Sequence, residues 1–335
     1  MTNFHHALLY LGSASGAAMM NLLNTLLKHY LLVFAISLAF VSAVILVYLL
    51  ETPAFNDGSR QINPALADKF GSLSAGLLGP LLALATILLV LETLKSQSAD
   101  SKRQGFESRF FEILNIQRRN VAEMAYRKTE DTEKDYKSRR VFLEIHHQLE
   151  YLLGYIKEKH GSEFKERELI DIAYLIMFFG PRIAKQQYLR PYIKKSKALE
   201  ISLTAIGKIK TKDGVYRAYT GHQNRLGHYY RHLYQSVKYI DQVSFLSKTE
   251  KYDYVKTLRA QLSTAEQVIF FFNSLSTLGA AWGYDAKNTE QNLVVKYKLI
   301  KNISPGITFD VDPKKYYEMK FEFEEFPHIA EAPID

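Results

Sequence analysis

Leu31–Leu50 reads LLVFAISLAFVSAVILVYLL, a run without one charge. It has about the length a helix needs to cross a hydrocarbon core of ~30 Å. A cleaved signal peptide would carry a shorter apolar segment closer to the N-terminus, so a transmembrane helix is the expectation. A second apolar run, Leu73–Leu91, lies between Lys69 on one side and Glu92 and Lys95 on the other. Two such runs predict a transmembrane hairpin with the lipid bilayer as first partner. Gly71, Ala75 and Gly79 recur at four-residue spacing, a ridge that lets another helix approach closely in lipid. It serves the two spans of one hairpin or a homo-oligomer. Pro80 is expected to kink the second span.

The flanking charges orient that hairpin. Lys95, Lys102, Arg103 and Arg109 follow the second run, whereas the connector Glu51–Gly71 offsets Arg60 and Lys69 with Glu51, Asp57 and Asp68. Short flanks rich in Lys and Arg stay in the cytoplasm, which places both termini there and makes the chain a multi-pass membrane protein. The expected organisation is an N-terminal segment 1–30 with interfacial character, a hairpin over 31–94 (spans 31–50 and 73–91), a stalk 95–105, a helical domain 106–303 and an acidic, aromatic tail 304–335.

Composition narrows the chemistry. Of the 335 residues none is Cys, so disulfides, thiolate nucleophiles and Cys-ligated metals are excluded. From Lys95 to Asp335 there are 40 Lys+Arg against 31 Asp+Glu; the tail from Asn302 holds 3 and 8 of these, leaving 37 against 23 in Lys95–Lys301. A basic body beside an acidic tail suits an anionic partner.

Beyond Phe106 the apolar residues recur mostly with a 3.6 period, which predicts a mainly α fold. Helices are expected over Phe106–Val121, Val141–Ile156, Glu166–Phe179, Lys251–Leu262, Thr264–Leu278 and Asn288–Ile303, with Arg127–Arg140 as a turn. Leu199–Tyr219 fits one small β-hairpin turning at Asp213-Gly214. In Lys314–Phe326, Phe321 and Phe323 alternate with Lys320, Glu322 and Glu324, the period of an extended segment.

The densest functional residues lie in Gly221–Asp241, GHQNRLGHYYRHLYQSVKYID. Leu226, Tyr230, Leu233, Val237 and Ile240 make one apolar helix face; His228, Arg231, Gln235 and Lys238 share the other. Imidazole titrates near neutrality and guanidinium is a rigid charged fork, so this face suits an anion or acid–base chemistry. The candidate catalytic residues are His222, Arg225, His228, Arg231 and His232. Tyr229 and Tyr234 are candidate stacking surfaces, and Lys238, Arg259, Gln261 and Asn273 are further ligand-binding candidates.

Gly227-His228-Tyr229-Tyr230-Arg231-His232-Leu233-Tyr234, closing in Lys238-Tyr239-Ile240-Asp241, resembles the signature of the AbiC-like family of phage abortive-infection proteins. A second block follows at that family's separation: Tyr252-Asp253-Tyr254, then Leu258-Arg259-Ala260-Gln261-Leu262-Ser263, Glu266 and Phe271-Phe272-Asn273. With the aromatic opening Phe106–Val121, the resemblance covers Phe106 to Ile303. It implies anti-phage defence and no settled reaction.

Three chemistries compete for the central stretch. His228 and His232 have a spacing that can bring two imidazoles to one metal, but Tyr229 stands where a zincin has its Glu; no metal and no cofactor is expected. An Arg followed by a His resembles the motif of metal-independent HEPN ribonucleases, offered here by Arg217…His222, Arg225…His232 and Arg139/Arg140…His146/His147. Ala218 and Leu226 depart from that motif. The third reading is binding alone, to RNA, a nucleotide or a phage component, in a membrane-anchored defence effector or sensor. A non-defence membrane scaffold is the remaining class.

Overall fold

The computed structural model describes residues 33–34, 36–37, 40–45, 47–48 and 51, and then 64–127, 135–206, 221–286 and 288–325. The expected segment 1–30, most of the connector and the Asp213-Gly214 turn lie outside them. The chain divides into two units, residues 1–108 and 109–335.

In the first unit the described residues between 33 and 51 are helical, and their large apolar side chains, Val33, Phe34, Phe40 and Tyr48 among them, are exposed. A long helix, α1, runs Pro64–Ala122 and carries Pro80 inside it. Proline is at home at its first position, where the missing N–H has no intrahelical partner anyway. The apolar end of the second expected span, the polar stalk and the first helix of the expected domain are thus one element. Lys95–Gln104 has neither Gly nor Pro to stop it, and an Arg103–Glu107 pair four residues apart supports the helix beyond. At ~1.5 Å per residue it measures roughly 88 Å, about three hydrocarbon-core thicknesses, so most of it lies outside any membrane it crosses. Among the described residues one helix is long and apolar enough to cross a membrane, with almost none of its apolar window buried. The expected two-helix hairpin reduces to that coarser statement. A Cβ at Gly71 or Gly79 would meet nothing within 4 Å among the described residues, which leave the small-residue ridge uncovered.

The second unit is helical with one small sheet, as the mainly α expectation requires. Strands β1 (Ala125–Arg127) and β2 (Asp135–Lys137) pair antiparallel, Tyr126 opposite Tyr136. The strand pair therefore sits where a turn was expected, and Leu199–Ile206, expected to open a hairpin, lies in helix α5 (Lys197–Ile206). Leu199, Leu203 and Ile206 are buried at a three-to-four-residue spacing, so the helical period prevails over the β-branched content.

The core is built by α2 (Arg140–His160), α3 (Glu166–Phe179) and α8 (Thr264–Leu275). Every residue of α3 from Leu169 to Phe179 is buried, and so is every residue of α8 from Ala265 to Leu275. After Gly180 come one turn of helix, a π-helical turn Ala184–Tyr188, and α4 (Arg190–Lys195). Helices α6 (Gln223–Gln242) and α7 (Lys248–Arg259) flank this core. The expected helix Asn288–Ile303 shrinks to α9 (Leu293–Lys296), capped by Asn292.

The tail is part of the fold. His146 Nε2 donates to Ile307 O at 3.1 Å and the Phe272 and Phe309 rings stack at 5.3 Å. Tyr317 and Phe321 are buried, and the Tyr317 hydroxyl reaches Ser274 Oγ at 2.7 Å. Glu322–Glu325 is a helical turn, α10, held by Lys301 and Lys314, so the period-two pattern makes no strand. The body thus extends past the expected boundary at Ile303 to Glu325.

Candidate functional site

Helix α6 is positioned by its entry. Gly221 has φ +82°, and a Cβ there would lie 2.5 Å from the carbonyl carbon of Phe179; only glycine fits. The His222 N–H then donates to Phe178 O at 2.8 Å, which ties the start of α6 to the end of α3.

Leu226, Tyr229, Tyr230, Leu233, Val237 and Ile240 go into the core. Asn224, His228, Arg231 and Gln235, spaced four, three and four apart, form an exposed stripe along the opposite face. That stripe walls a cleft of about 690 Å³, completed by Phe178, Phe179 and Tyr188 from α3 and the π turn, and by Trp282 from the 3₁₀ turn Thr277–Trp282. A second cleft of about 610 Å³ shares Phe179, Gln223, Asn224 and His228 with the first and adds Arg225, Asn120 and Glu123. His228 stands on the ridge between them.

The electrostatics of the first cleft are simple. Among the described residues no carboxylate lines it, and Arg231 and His228 are its guanidinium and its imidazole. Arg231 Nε donates to Gly227 O at 3.0 Å on its own helix; its four other N–H groups have no protein acceptor among the described residues. His228 Nδ1 lies 2.9 Å from Asn224 O. A carbonyl only accepts, so Nδ1 carries a hydrogen in either charge state and Nε2 is the atom that takes or gives a proton.

The other expected site residues divide. Tyr234 is partly exposed, lines the first cleft and meets Trp282 edge-on at 5.2 Å; Lys238 lies one turn beyond, outside it. Arg225 donates to Ala125 O at 2.8 Å, and its guanidinium rests on the Tyr126 ring at 4.8 Å. His232 points its Nδ1 at Gln117 Oε1, 2.8 Å away on α1, and burial, then the charge of Arg109, lowers its pKa.

Four candidates are held by the fold away from the first cleft, and a fifth, Asn273, is buried but lines it. Tyr229 has no exposed surface to stack on a ligand; its hydroxyl donates to Glu266 Oε1 at 2.8 Å. Asn273 donates to the Tyr174 hydroxyl at 2.9 Å at the inner wall of the cleft, and Arg259 donates to Lys298 O at 2.7 Å. Gln261 accepts from Arg118 through Oε1 and from Arg139 through its carbonyl. His222 is buried, its Nε2 donating to Gln148 Oε1 at 2.9 Å, because the Gln148 amide nitrogen is turned toward the Glu144 carboxylate. Burial, then the nearby Arg225, pushes the His222 pKa down to about 3. A residue so held is a neutral core histidine, closed to acid–base work on a ligand.

The Arg–His pairs do not converge on one cleft. Arg217 is outside the described residues; Arg139 is engaged with Gln261 and Glu266 while His146 is committed to Ile307 O. Arg231 and His228 share the first cleft instead.

Residue-type reasoning missed Gln223, Asn224, Tyr188 and Trp282. The spacing of Asn224 ahead of His228 announces the stripe, whereas nothing local in sequence brings Tyr188 or Trp282 to α6. It also missed the role of Glu266. Ser263-Thr264-Ala265-Glu266 is a capping box, with Ser263 N to Glu266 Oε2 at 2.8 Å, and that fixes the carboxylate beneath Tyr229.

Residues 221–306 match the family model described as "Putative phage abortive infection protein". The match spans α6 to the residues after α9 and includes the cleft-forming stripe and Trp282. No curated protein matches the chain. No solved structure matches it either.

Proposed function

We propose that this chain is a membrane-anchored abortive-infection protein of the bacterial inner membrane, its helical body cytoplasmic, and that the body recognises an anionic ligand of phage or RNA origin in the cleft on α6. The family match supports the defence context. One long apolar helix and the basic residues after its apolar part support the anchor and its orientation. The ridge Gly71–Ala75–Gly79 would pack on the other span or on a second copy.

One observation carries the ligand reading. Arg118, Arg139, Arg167, Arg225 and Arg259 each donate to an acceptor elsewhere in the fold. Among the described residues Arg231 bonds only the carbonyl one turn back on its own helix, and no carboxylate lines its cleft. A guanidinium kept free of acids, beside an imidazole with Nε2 available, is an anion site.

The test is protection against phage, comparing wild type with Arg231→Ala at equal abundance in the membrane fraction. Protection should fall at least tenfold in plating efficiency, with the denaturant midpoint of the purified protein unchanged. Retained protection would overturn the reading, and protection by neither protein at any phage tested would leave a membrane scaffold. Total RNA from the same cells separates binding from catalysis: cleavage that depends on His228 would make the site a ribonuclease.

A further inference from the structure

We propose that the larger cleft on α6 takes a nucleotide, its base among the aromatic side chains and its phosphate at His228 and Arg231. The inference rests on the anion-site reading and adds the chemical class of the ligand.

The lining divides by chemistry. Tyr188 and Tyr234, backed by the buried Phe178 and Trp282, make one part, His228 and Arg231 the other. About 690 Å³ falls inside the ~300–1,000 Å³ range of small-molecule sites, so the aromatic part has room for an organic group. An inorganic anion would satisfy the basic pair and leave the aromatic part wet. A purely apolar ligand would leave a guanidinium desolvated without a partner. A planar ring joined to a phosphate satisfies both, because every base has a π-face for the rings and the phosphate matches the guanidinium fork. Gln223, Asn224 and Gln235 on the same wall each offer an amide donor and acceptor, the groups that read base edges.

Gly227 is the second observation. It lies on α6 between Asn224 and Arg231, where glycine is the poorest helix former after proline. A Cβ there would meet only Phe178 Cζ at 3.9 Å, so packing does not require glycine. The missing side chain leaves the cleft floor open. His228 also borders the second cleft, next to Arg225, which gives a following nucleotide a place to continue. The nucleotide unit thus comes either free or as part of a single-stranded RNA.

The test uses the full chain in detergent micelles, titrated with inorganic phosphate, adenosine, AMP and a five-nucleotide single-stranded RNA. Wild type should bind AMP at least tenfold tighter than phosphate or adenosine. Arg231→Gln should lose at least tenfold for AMP and keep its adenosine affinity. Gly227→Leu, which fills the floor, should lose at least tenfold for AMP and keep its phosphate affinity. Tyr234→Leu repeats that comparison if Gly227→Leu shifts the melting midpoint. RNA bound tighter than AMP assigns the unit to a strand, and weaker to a free nucleotide. AMP no tighter than phosphate overturns the nucleotide and leaves the anion site. Binding of neither phosphate nor AMP removes both.

Discussion

Tyr229 and Arg231 are two positions apart on α6 and have opposite fates. A helix turns about 100° per residue, so a two-residue step crosses to the far face, and Tyr229 is closed in while Arg231 is exposed. The Tyr229 hydroxyl donates to the buried Glu266 carboxylate. Tyr229→Phe should therefore cost about 1–3 kcal/mol in chemical denaturation, since a buried carboxylate oxygen loses a donor. His222 supplies a pH dependence. Its folded pKa of about 3 lies below the ordinary value near 6.5, so the unfolded state binds the proton first and stability falls as pH drops from about 6.5 toward 3. At pH 4.5 the loss should be on the order of 2–3 kcal/mol, at ~1.4 kcal/mol per pH unit. Unfolding measured between pH 7 and 4.5 should be flatter in His222→Gln than in wild type. His146, lowered chiefly by burial, adds to the same trend and remains in the variant.

Elements with a full apolar period were legible in sequence: Glu166–Phe179 ends at Gly180 as expected, and α6 has the predicted core face. Three kinds of element were not. A strand pair of three residues each, β1–β2, is too short to show a period; α1 hides three expected segments because polarity changes along it while helix propensity does not. The tail alternates like a strand, yet Tyr317 and Phe321 find buried places that no local pattern announces. The cleft was half legible for the same reason: α6 writes its stripe in one segment, whereas Tyr188 and Trp282 arrive by tertiary packing. The two glycines of α6 and its entry give a matched prediction. Gly221→Ala should destabilise by roughly 2–4 kcal/mol, from a left-handed φ and a backbone overlap at 2.5 Å. Gly227→Ala should stabilise by up to about 1 kcal/mol, because its φ is helical and its Cβ is unobstructed. Thermal unfolding of both variants checks the pair.

At the scale of the whole molecule, the +14 excess of Lys95–Lys301 follows from 37 basic and 23 acidic residues, but charge alone does not locate a site. Most arginines with described contacts are spent inside the fold, and the tail's carboxylates partner lysines, Glu325 with Lys301 of the body and Glu324 with Lys314 of the tail itself. Truncation after Ile303 would remove Tyr317 and Phe321 from the core and the Phe309 ring from Phe272. It should leave the body unfolded, with no cooperative transition in circular dichroism; a folded, hyperactive truncation would instead make the tail an inhibitor.

The central claim is that anion binding belongs to the α6 cleft and to Arg231 in particular. The direct measurement is equilibrium binding of pyrophosphate to the full chain in neutral-lipid nanodiscs, for wild type, Arg231→Ala and Lys194→Ala, the last an exposed cation on α4. The account predicts at least a tenfold loss for Arg231→Ala, about 1.4 kcal/mol, and less than a twofold change for Lys194→Ala. Equal losses in the two variants, or no loss in Arg231→Ala, would contradict it.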